Sequence, residues 1–296
     1  MKEQKPIRTI LLIFVFALLV SFVLIALNNE LVVRRYKIED ERITSPVRIA
    51  LVTDLHSCKY GENQRELIAA VDAIAPDLVL MSGDIFDDEV PDTNTELFIA
   101  GIADRYPCYY VTGNHEYWGG TEEYEIHMQI LEQYGVTTLF DRSETVTVNG
   151  QIINLCGVCD PDVSMIAYDS ITEPSKYEWA QKNKISTFLQ KLDKVSEAAE
   201  NGYYTILLSH RPELFHSYAA LPYDLVLCGH AHGGQWRIPG ILNGLFAPNQ
   251  GLFPEFAGGE YEKNDTTMIV SRGLARESTK VPRIFNRPEL VLIEIH

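Results

Sequence analysis

Positive charge is what this sequence is short of. Its 296 residues hold 25 Lys and Arg against 41 Asp and Glu, a formal charge of −16, and no Lys/Arg cluster offsets the excess. A body this acidic repels the phosphates of a long nucleic acid, so neither DNA nor RNA is an expected partner. Cysteine is scarce as well. The five residues Cys58, Cys108, Cys156, Cys159 and Cys228 are odd in number and lack the dense spacing of a disulfide-stapled secreted module. Cys156 and Cys159 form a CxxC. No second such pair exists, however, and the first cysteine closes the apolar segment IINLC, so a structural role is expected for both. Internal repeats, low-complexity tracts and linkers long enough to divide the chain are also missing after Pro46. Residues 46–296 are therefore expected to form one domain, long enough to bury a sizeable core.

One long apolar run is present. Residues 10–27, ILLIFVFALLVSFVLIAL, contain no charge and come after a short tail, 1–9, that includes Lys2, Lys5 and Arg8. A span of about 17–25 apolar residues crosses a bilayer as a helix, whereas the apolar part of a cleaved signal peptide is usually only about 7–15. No polar face interrupts the run, and the LIALNNE that ends it is a poor cleavage site, so an uncleaved single-pass anchor is expected. Basic residues flank both ends, with Arg34, Arg35 and Lys37 on the far side. The N-terminus is expected inside and the domain outside the cell membrane. Residues 28–45, polar and without clear periodicity, are expected to be a tether.

Short apolar runs then alternate with helix-like segments. VRIALVT (47–53), DLVLMSG (77–83), CYYVTG (108–113), YTILLS (204–209) and DLVLCG (224–229) read as buried strands. Residues 63–75, 93–106, 121–135 and 178–200 read as helices, with Thr121 as N-cap and Gly135 as terminator of the third. The segment 145–156 reads as a hairpin about Asn149-Gly150. The alternation predicts a layered α/β fold with a partly antiparallel sheet.

The residues just past each strand carry the chemistry. The runs lead into Asp54-Leu55-His56, Asp84-Ile85-Phe86-Asp87-Asp88, Asn114-His115-Glu116, His210 and His230-Ala231-His232. Ligands of open α/β sheets bind outside the carboxyl ends of the strands, so these side chains are expected to share one cleft. Asp54 and His56, like His230 and His232, are two apart and would face the same way in extended chain. The glycines before Asp84, Asn114 and His230 are expected to permit sharp turns and leave room for an ion. Oxygen and nitrogen donors without thiolates suit Mn²⁺, Zn²⁺ or Fe. Seven such donors are too many for one ion and about right for two. Taken singly, each residue also fits a helix cap, a turn or a solvated loop; five coincidences at five strand ends do not. His127, His216 and His296 are assigned to structure.

DLH at 54–56, GDIFD at 83–87, GNHE at 113–116, SH at 209–210 and GHAH at 229–232 together resemble the calcineurin-like metallophosphoesterase superfamily. The strings SHRPELF, GHAHGGQWRIPG and RIFNRPELVLIEI resemble its membrane-associated or exported bacterial branch. The resemblance implies a four-layer αββα sandwich of two mixed sheets, the metallo-dependent phosphatase fold. It implies that Asp54, His56 and His232 hold one ion, that Asn114, His210 and His230 hold a second, and that Asp84 bridges them. A hydroxide between the ions would be the nucleophile, His115 would serve the leaving oxygen, and Asp87 would orient His115. Arg211, Arg283 and Arg287 are candidate phosphate contacts or salt-bridging residues. The function implied is a membrane-anchored phosphoesterase using two divalent ions, Mn²⁺ foremost with Zn²⁺, Fe or Mg²⁺ as alternatives. Its substrate would be a phosphodiester or a lipid- or cell-envelope-linked phosphate. A general phosphomonoesterase or nuclease is the second reading. A catalytically silent membrane-bound binding module is the third, and the filled ligand set counts against it.

Overall fold

In the computed structural model, residues 4–165, 174–276 and 281–296 are described; Lys2 and Glu3 of the tail lie outside them. Helix α1, Gln4–Ala26, leads into two six-stranded sheets. Sheet A runs β1 (Val32–Ile38), β14 (Glu289–Ile295), β2 (Val47–Val52), β3 (Leu78–Ser82), β4 (Cys108–Val111) and β5 (Thr137–Thr138). Sheet B runs β12 (Gly259–Lys263), β13 (Thr266–Val270), β9 (Leu225–Cys228), β8 (Tyr204–Leu208), β7 (Gln151–Gly157) and β6 (Arg142–Val148). Both are mixed: β2, β3 and β4 are parallel, as are β7, β8, β9 and β13, while β14–β2, β6–β7 and β12–β13 are antiparallel. A small ribbon, β10 (Phe246–Ala247) with β11 (Gly251–Leu252), stands apart from both.

The strands are apolar on both faces because both faces are covered. On β2, Ile49 and Leu51 point between the sheets, where they meet Leu155, Leu208 and Leu227. The alternate residues Ala50 and Val52 point outward, under helices α2 (Arg65–Ile74), α3 (Thr93–Ile102) and α5 (Thr121–Gln133). A single turn, α4 (His115–Trp118), comes between β4 and α5. On β9, Leu225 and Leu227 face inward, while Val226 and Cys228 face helices α6 (Pro174–Ser196) and α7 (Phe215–Tyr218). The layers are thus α, β, β, α, as expected. Helix α2 presents Leu67, Val71 and Ile74 to its sheet, the i, i+4, i+7 stripe of an amphipathic helix. The β6–β7 hairpin turns at Asn149 and Gly150, with φ of 51° and 81°, the paired positive values that a two-residue primed turn needs. Helix α5 begins at Thr121 with Gly120 at the N-cap position, one residue from the expected start.

Residues 28–45 are not a tether. Val32–Ile38 forms β1, the edge of sheet A, in parallel register with β14. Arg42 then pairs with Asp224 at 2.6 Å, across the sandwich. Periodicity does not reveal this strand, because an edge strand takes its stability from backbone pairing and is half polar: Arg34 and Arg35 are exposed. Helix α1 is long and apolar enough to cross a membrane, with a mean hydropathy of 3.1 over Thr9–Ala26, and its large side chains are exposed. Its last turn touches the domain at Phe285, whose N–H donates to the Ala26 carbonyl at 2.7 Å. All five cysteines are buried thiols. Burial pushes Cys156 and Cys159 up to about 12, so neither offers a thiolate at neutral pH.

Candidate metal centre

Five strands release the chain at one edge of the sandwich, and hydrogen bonds tie the released segments together. Asp54 N–H donates to Gly83 O (3.0 Å) and His56 N–H to Asp84 O (3.1 Å), locking the loops after β2 and β3. His115 N–H donates to Asp84 Oδ1 (2.9 Å) and His230 N–H to Asp54 Oδ1 (2.8 Å), locking β4 to β3 and β9 to β2. Ser82 Oγ–H bridges the sheets, within hydrogen-bond distance of Leu227 O and Ser209 O.

The backbone here is strained. Asp54, His56, Ser57, Asp84, His230 and His232 all have φ between 46° and 67°, a region that side-chain-bearing residues avoid. Each costs on the order of 1–3 kcal/mol, and such residues gather where function requires a particular aim. This corrects one expectation. Asp54 and His56, and His230 and His232, do not converge as alternate residues of extended chain. They converge because each sits in a left-handed turn after its strand has ended. The glycines are also used differently. A Cβ at Gly83 would lie 2.5 Å from the His210 ring, one at Gly113 would lie 2.1 Å from Asp84 Oδ1, and one at Gly229 would lie 2.5 Å from Asp54 Oδ2. They leave room for the neighbouring side chains, and of the three only Gly83, at φ 85°, turns in the glycine-favouring region.

All seven expected ligand residues reach this edge, and all are buried. Asp54, His56, Asp84 and His232 form one group, with a donor atom of each within 4.8 Å of the others; Asp84, His210 and His230 form a second. The groups share Asp84, and His230 and His232 fall in different ones. The buried polar atoms here that make no hydrogen bond include Asp54 Oδ2, His56 Nε2, Asn114 Oδ1 and His232 Nδ1. Unsatisfied buried donors and acceptors are costly, and these four, supplied by three loops at one edge, fit a bound cation. The rings are also held for that purpose. His56 Nδ1 bonds Asp87 Oδ2 (2.8 Å) and His210 Nδ1 bonds Ser82 O (2.9 Å), which leaves each Nε2 facing the cluster.

The protonation pattern agrees. Burial disfavours charge on His230 and His232, Arg211 and His56 add repulsion respectively, and both imidazoles are held well below their usual range. They are neutral donors at pH 7, as metal ligation requires. Burial opposes charge on His210 too, but Asp84, 3.0 Å away, wins and lifts it to about 10. Burial also opposes ionisation of Asp84, yet His210 and His115 hold its carboxyl well below the normal value. Protons on His210 thus do for Asp84 what a cation would do better.

His115 lies at the mouth of a cleft of about 430 Å³ with Trp118, Asp88, His232, Phe246 and Pro248. The expected partnership of His115 with Asp87 is corrected. Asp87 Oδ2 is 3.8 Å from His115 Nδ1, whereas Asp88 Oδ1 bonds that nitrogen at 2.5 Å. Asp87 instead serves His56 and caps the turn after it through the N–H groups of Glu89 and Val90. Arg211 is buried and taken by Asp160, Asn249 and the edge of His230. Arg283 is buried against the carbonyls of Ala275 and Gly273, and Arg287 holds the carbonyls of Glu30 and Leu31. None of the three side chains has its guanidinium committed to the cleft.

Glu116 has no role that its position in the chain alone assigns. Its buried carboxylate accepts from the N–H groups of Gly113 (2.7 Å), Asp84 (3.1 Å), Ile85 (2.8 Å) and Phe86 (3.2 Å), holding the β3 and β4 loops in one frame. Its one signal is its place beside Asn114-His115. Asn286, whose Nδ2 donates to His232 O (2.7 Å), has no signal at all, being 54 residues away.

The chain is similar to known proteins over most of its length. Phosphodiesterase YaeI of Escherichia coli (strain K12) is 26% identical over 259 residues, covering 85% of this chain and 83% of that protein. An uncharacterized metallophosphoesterase of Aquifex aeolicus (strain VF5) is 28% identical over 273 residues, covering 89% and 91%. Among solved structures, Haemophilus influenzae NAD nucleotidase is similar over 78% of this chain and 51% of its own, with 15% identity and a TM-score of 0.49. The model of the calcineurin-like phosphoesterase family matches residues 47–234, a stretch that includes every residue of the two donor groups. The chain belongs to that family and is a metal-dependent hydrolase of phosphoesters.

Proposed function

We propose that this chain is a membrane-anchored phosphodiesterase that works with two divalent ions. The observation that carries the reading is the pair of donor groups sharing Asp84, with buried, unbonded atoms turned into them. Asp54, His56, His232 and Asp84 would hold one ion; Asp84, Asn114, His210 and His230 the other. The mixed oxygen and nitrogen set, free of thiolates, suits Mn²⁺. When bound, the ions supply Lewis-acid polarisation of the phosphoryl oxygens and a nucleophile at neutral pH.

The remaining work falls to the chain. Asp88 fixes His115 with one ring nitrogen engaged, so the other is presented to the cleft. From there His115 stabilises or protonates the leaving oxygen. Asp87 and the Ser82 carbonyl hold the rings of His56 and His210 in place. Glu116 keeps the Asp84 and Asn114 loops in register. The diester preference is supported by the likeness to the Escherichia coli phosphodiesterase and the anchor by helix α1, with the domain outside the cell membrane. A lipid- or envelope-borne phosphoester then lies within reach.

The test uses the full chain, stripped with a chelator and reloaded with Mn²⁺. Two ions per chain and faster hydrolysis of methyl 4-nitrophenyl phosphate than of 4-nitrophenyl phosphate are expected. Fewer than one ion per chain removes the dinuclear reading, and a monoester preference removes the diesterase.

A further inference from the structure

Beyond the cleft, residues 236–253 form a loop and ribbon whose large apolar side chains face solvent. Ile241 is 83% exposed, Phe253 67% and Leu252 66%, with Trp236, Ile238 and Phe246 also exposed. A water-facing loop has no use for six such residues, and clustered exposure of this kind marks an interaction surface. The loop is not loose chain: Ile238 N–H donates to Leu242 O (3.0 Å) and Phe253 N–H to Leu245 O (2.8 Å). Phe253 is held at φ 57°, a costly conformation for a bulky residue that here turns its ring outward.

Its location identifies what covers it. Trp236 is bridged to Ile284, and Arg237 N–H donates to Ile284 O (2.9 Å). The next residue, Phe285, donates its N–H to Ala26 O (2.7 Å) and packs its ring 5.3 Å from Phe22 in the last turns of helix α1. The apolar loop is therefore fastened beside the point where the anchor helix meets the domain. If α1 lies in a bilayer, that junction lies at the bilayer surface. The same loop reaches the chemistry, since Phe246 and Pro248 line the cleft with His115 and His232.

We infer that residues 236–253 dock into the lipid bilayer beside the anchor and turn the mouth of the cleft toward the membrane, so that the enzyme takes phosphodiesters carried on lipids. This rests on the anchored-diesterase reading above. A helix alone would leave the domain free to swing; a second apolar contact next to the cleft sets its facing. Trp236 suits the role, because tryptophan favours the membrane–water interface. The contact is apolar, so it should be insensitive to salt, unlike attraction of basic residues to anionic lipid.

The experiment uses the full chain reconstituted in phosphatidylcholine vesicles. With acyl chains brominated near the headgroup, the fluorescence that disappears on Trp236→Phe should be strongly quenched in the parent protein, and equally at low and high salt. An unquenched Trp236 overturns the inference. Rates are then compared on two esters with the same scissile bond, hexadecyl 4-nitrophenyl phosphate in the vesicle and methyl 4-nitrophenyl phosphate in solution. The variant Ile241→Glu/Phe253→Glu should lose roughly tenfold or more on the vesicle-borne ester, as expected for two apolar side chains denied burial, and keep its rate on the soluble one. Equal effects on both esters also overturn it. A parent chain inactive on the soluble ester would instead sink the diesterase reading, and one that fails to float with vesicles would sink the anchor; the Trp236 quenching decides docking in either case.

Discussion

Sheet A contributes the carboxylates Asp54, Asp84 and Asp87, beside His56, Asn114 and His115, whereas the sheet B strands lead only into imidazoles, His210, His230 and His232. Asp84 on one side and His230 and His232 on the other meet the same burial with opposite results. On the carboxylate side, Asp84 stays ionised against burial because His210 and His115 face it. On the imidazole side, burial with Arg211 or His56 keeps His230 and His232 neutral. One sheet therefore supplies charge suited to drawing a cation and the other mainly supplies neutral donors suited to ligating one. Neither half is a site until the sandwich closes, which is why the inter-sheet packing of Leu51, Leu208 and Leu227 is a condition of the chemistry.

The most severe way to break this division is Asp84→Asn, which removes the carboxylate both groups share. Metal content by mass spectrometry should fall, and kcat should drop by at least about 10³; a variant that retained both ions would refute the sharing. His115→Ala should keep its metal and lose roughly 10²–10⁴ in kcat, most on esters with poor leaving groups. The two adjacent acids should then separate. Asp87→Asn, acting through His56, is expected to weaken metal binding by roughly 10–100-fold in a competition titration. Asp88→Asn should leave metal affinity alone and lower kcat on poor leaving groups. If the two variants behave alike, the split between His56 and His115 is wrong.

Glu116→Gln sharpens the comparison on the carboxylate side. It replaces an acceptor of four backbone N–H groups with one that can point an NH₂ at some of them, and about 1–3 kcal/mol of stability should be lost in thermal unfolding. The smallest effect concerns the support of Arg211 on the imidazole side. Asp162 lies 2.5 Å from Lys184 and 3.4 Å from Arg211, and these partners lower its pKa despite burial. Because its folded value lies below its unfolded one, the stabilisation is present above about pH 4 and is lost as pH falls through the lowered value. Asp162→Asn should therefore lower Tm at pH 7 and converge with the parent protein in strong acid; a difference that persisted there would assign the effect to packing.

Much of this was legible in advance. Five of the parallel strands, β2, β3, β4, β8 and β9, announced themselves as short apolar runs because both of their faces are buried, and the polar residues after them stood out against those runs. The hairpin was readable from Asn149-Gly150, since few other pairs accept two positive φ values. Strand β1 was not readable, because an edge strand with Arg34 and Arg35 on it carries no apolar period. Nor was the exchange of partners by Asp87 and Asp88. Adjacent carboxylates look alike in one dimension, and the choice between them turns on which imidazole each loop angle brings within hydrogen-bonding reach.

The order of residues along the chain was enough to establish the layered fold and the family and to propose a ligand set, because those depend on local periodicity and on donor chemistry, both short-range properties. What needed folding was aim and support. The left-handed turns at Asp54, His56, Asp84, His230 and His232 are affordable only where packing and long-range hydrogen bonds hold them. Asn286 beneath His232, and the end of helix α1 against Phe285 beside an exposed apolar loop, join segments far apart in sequence. Such contacts carry no local signature, because the free energy that maintains them comes from the closed sandwich as a whole.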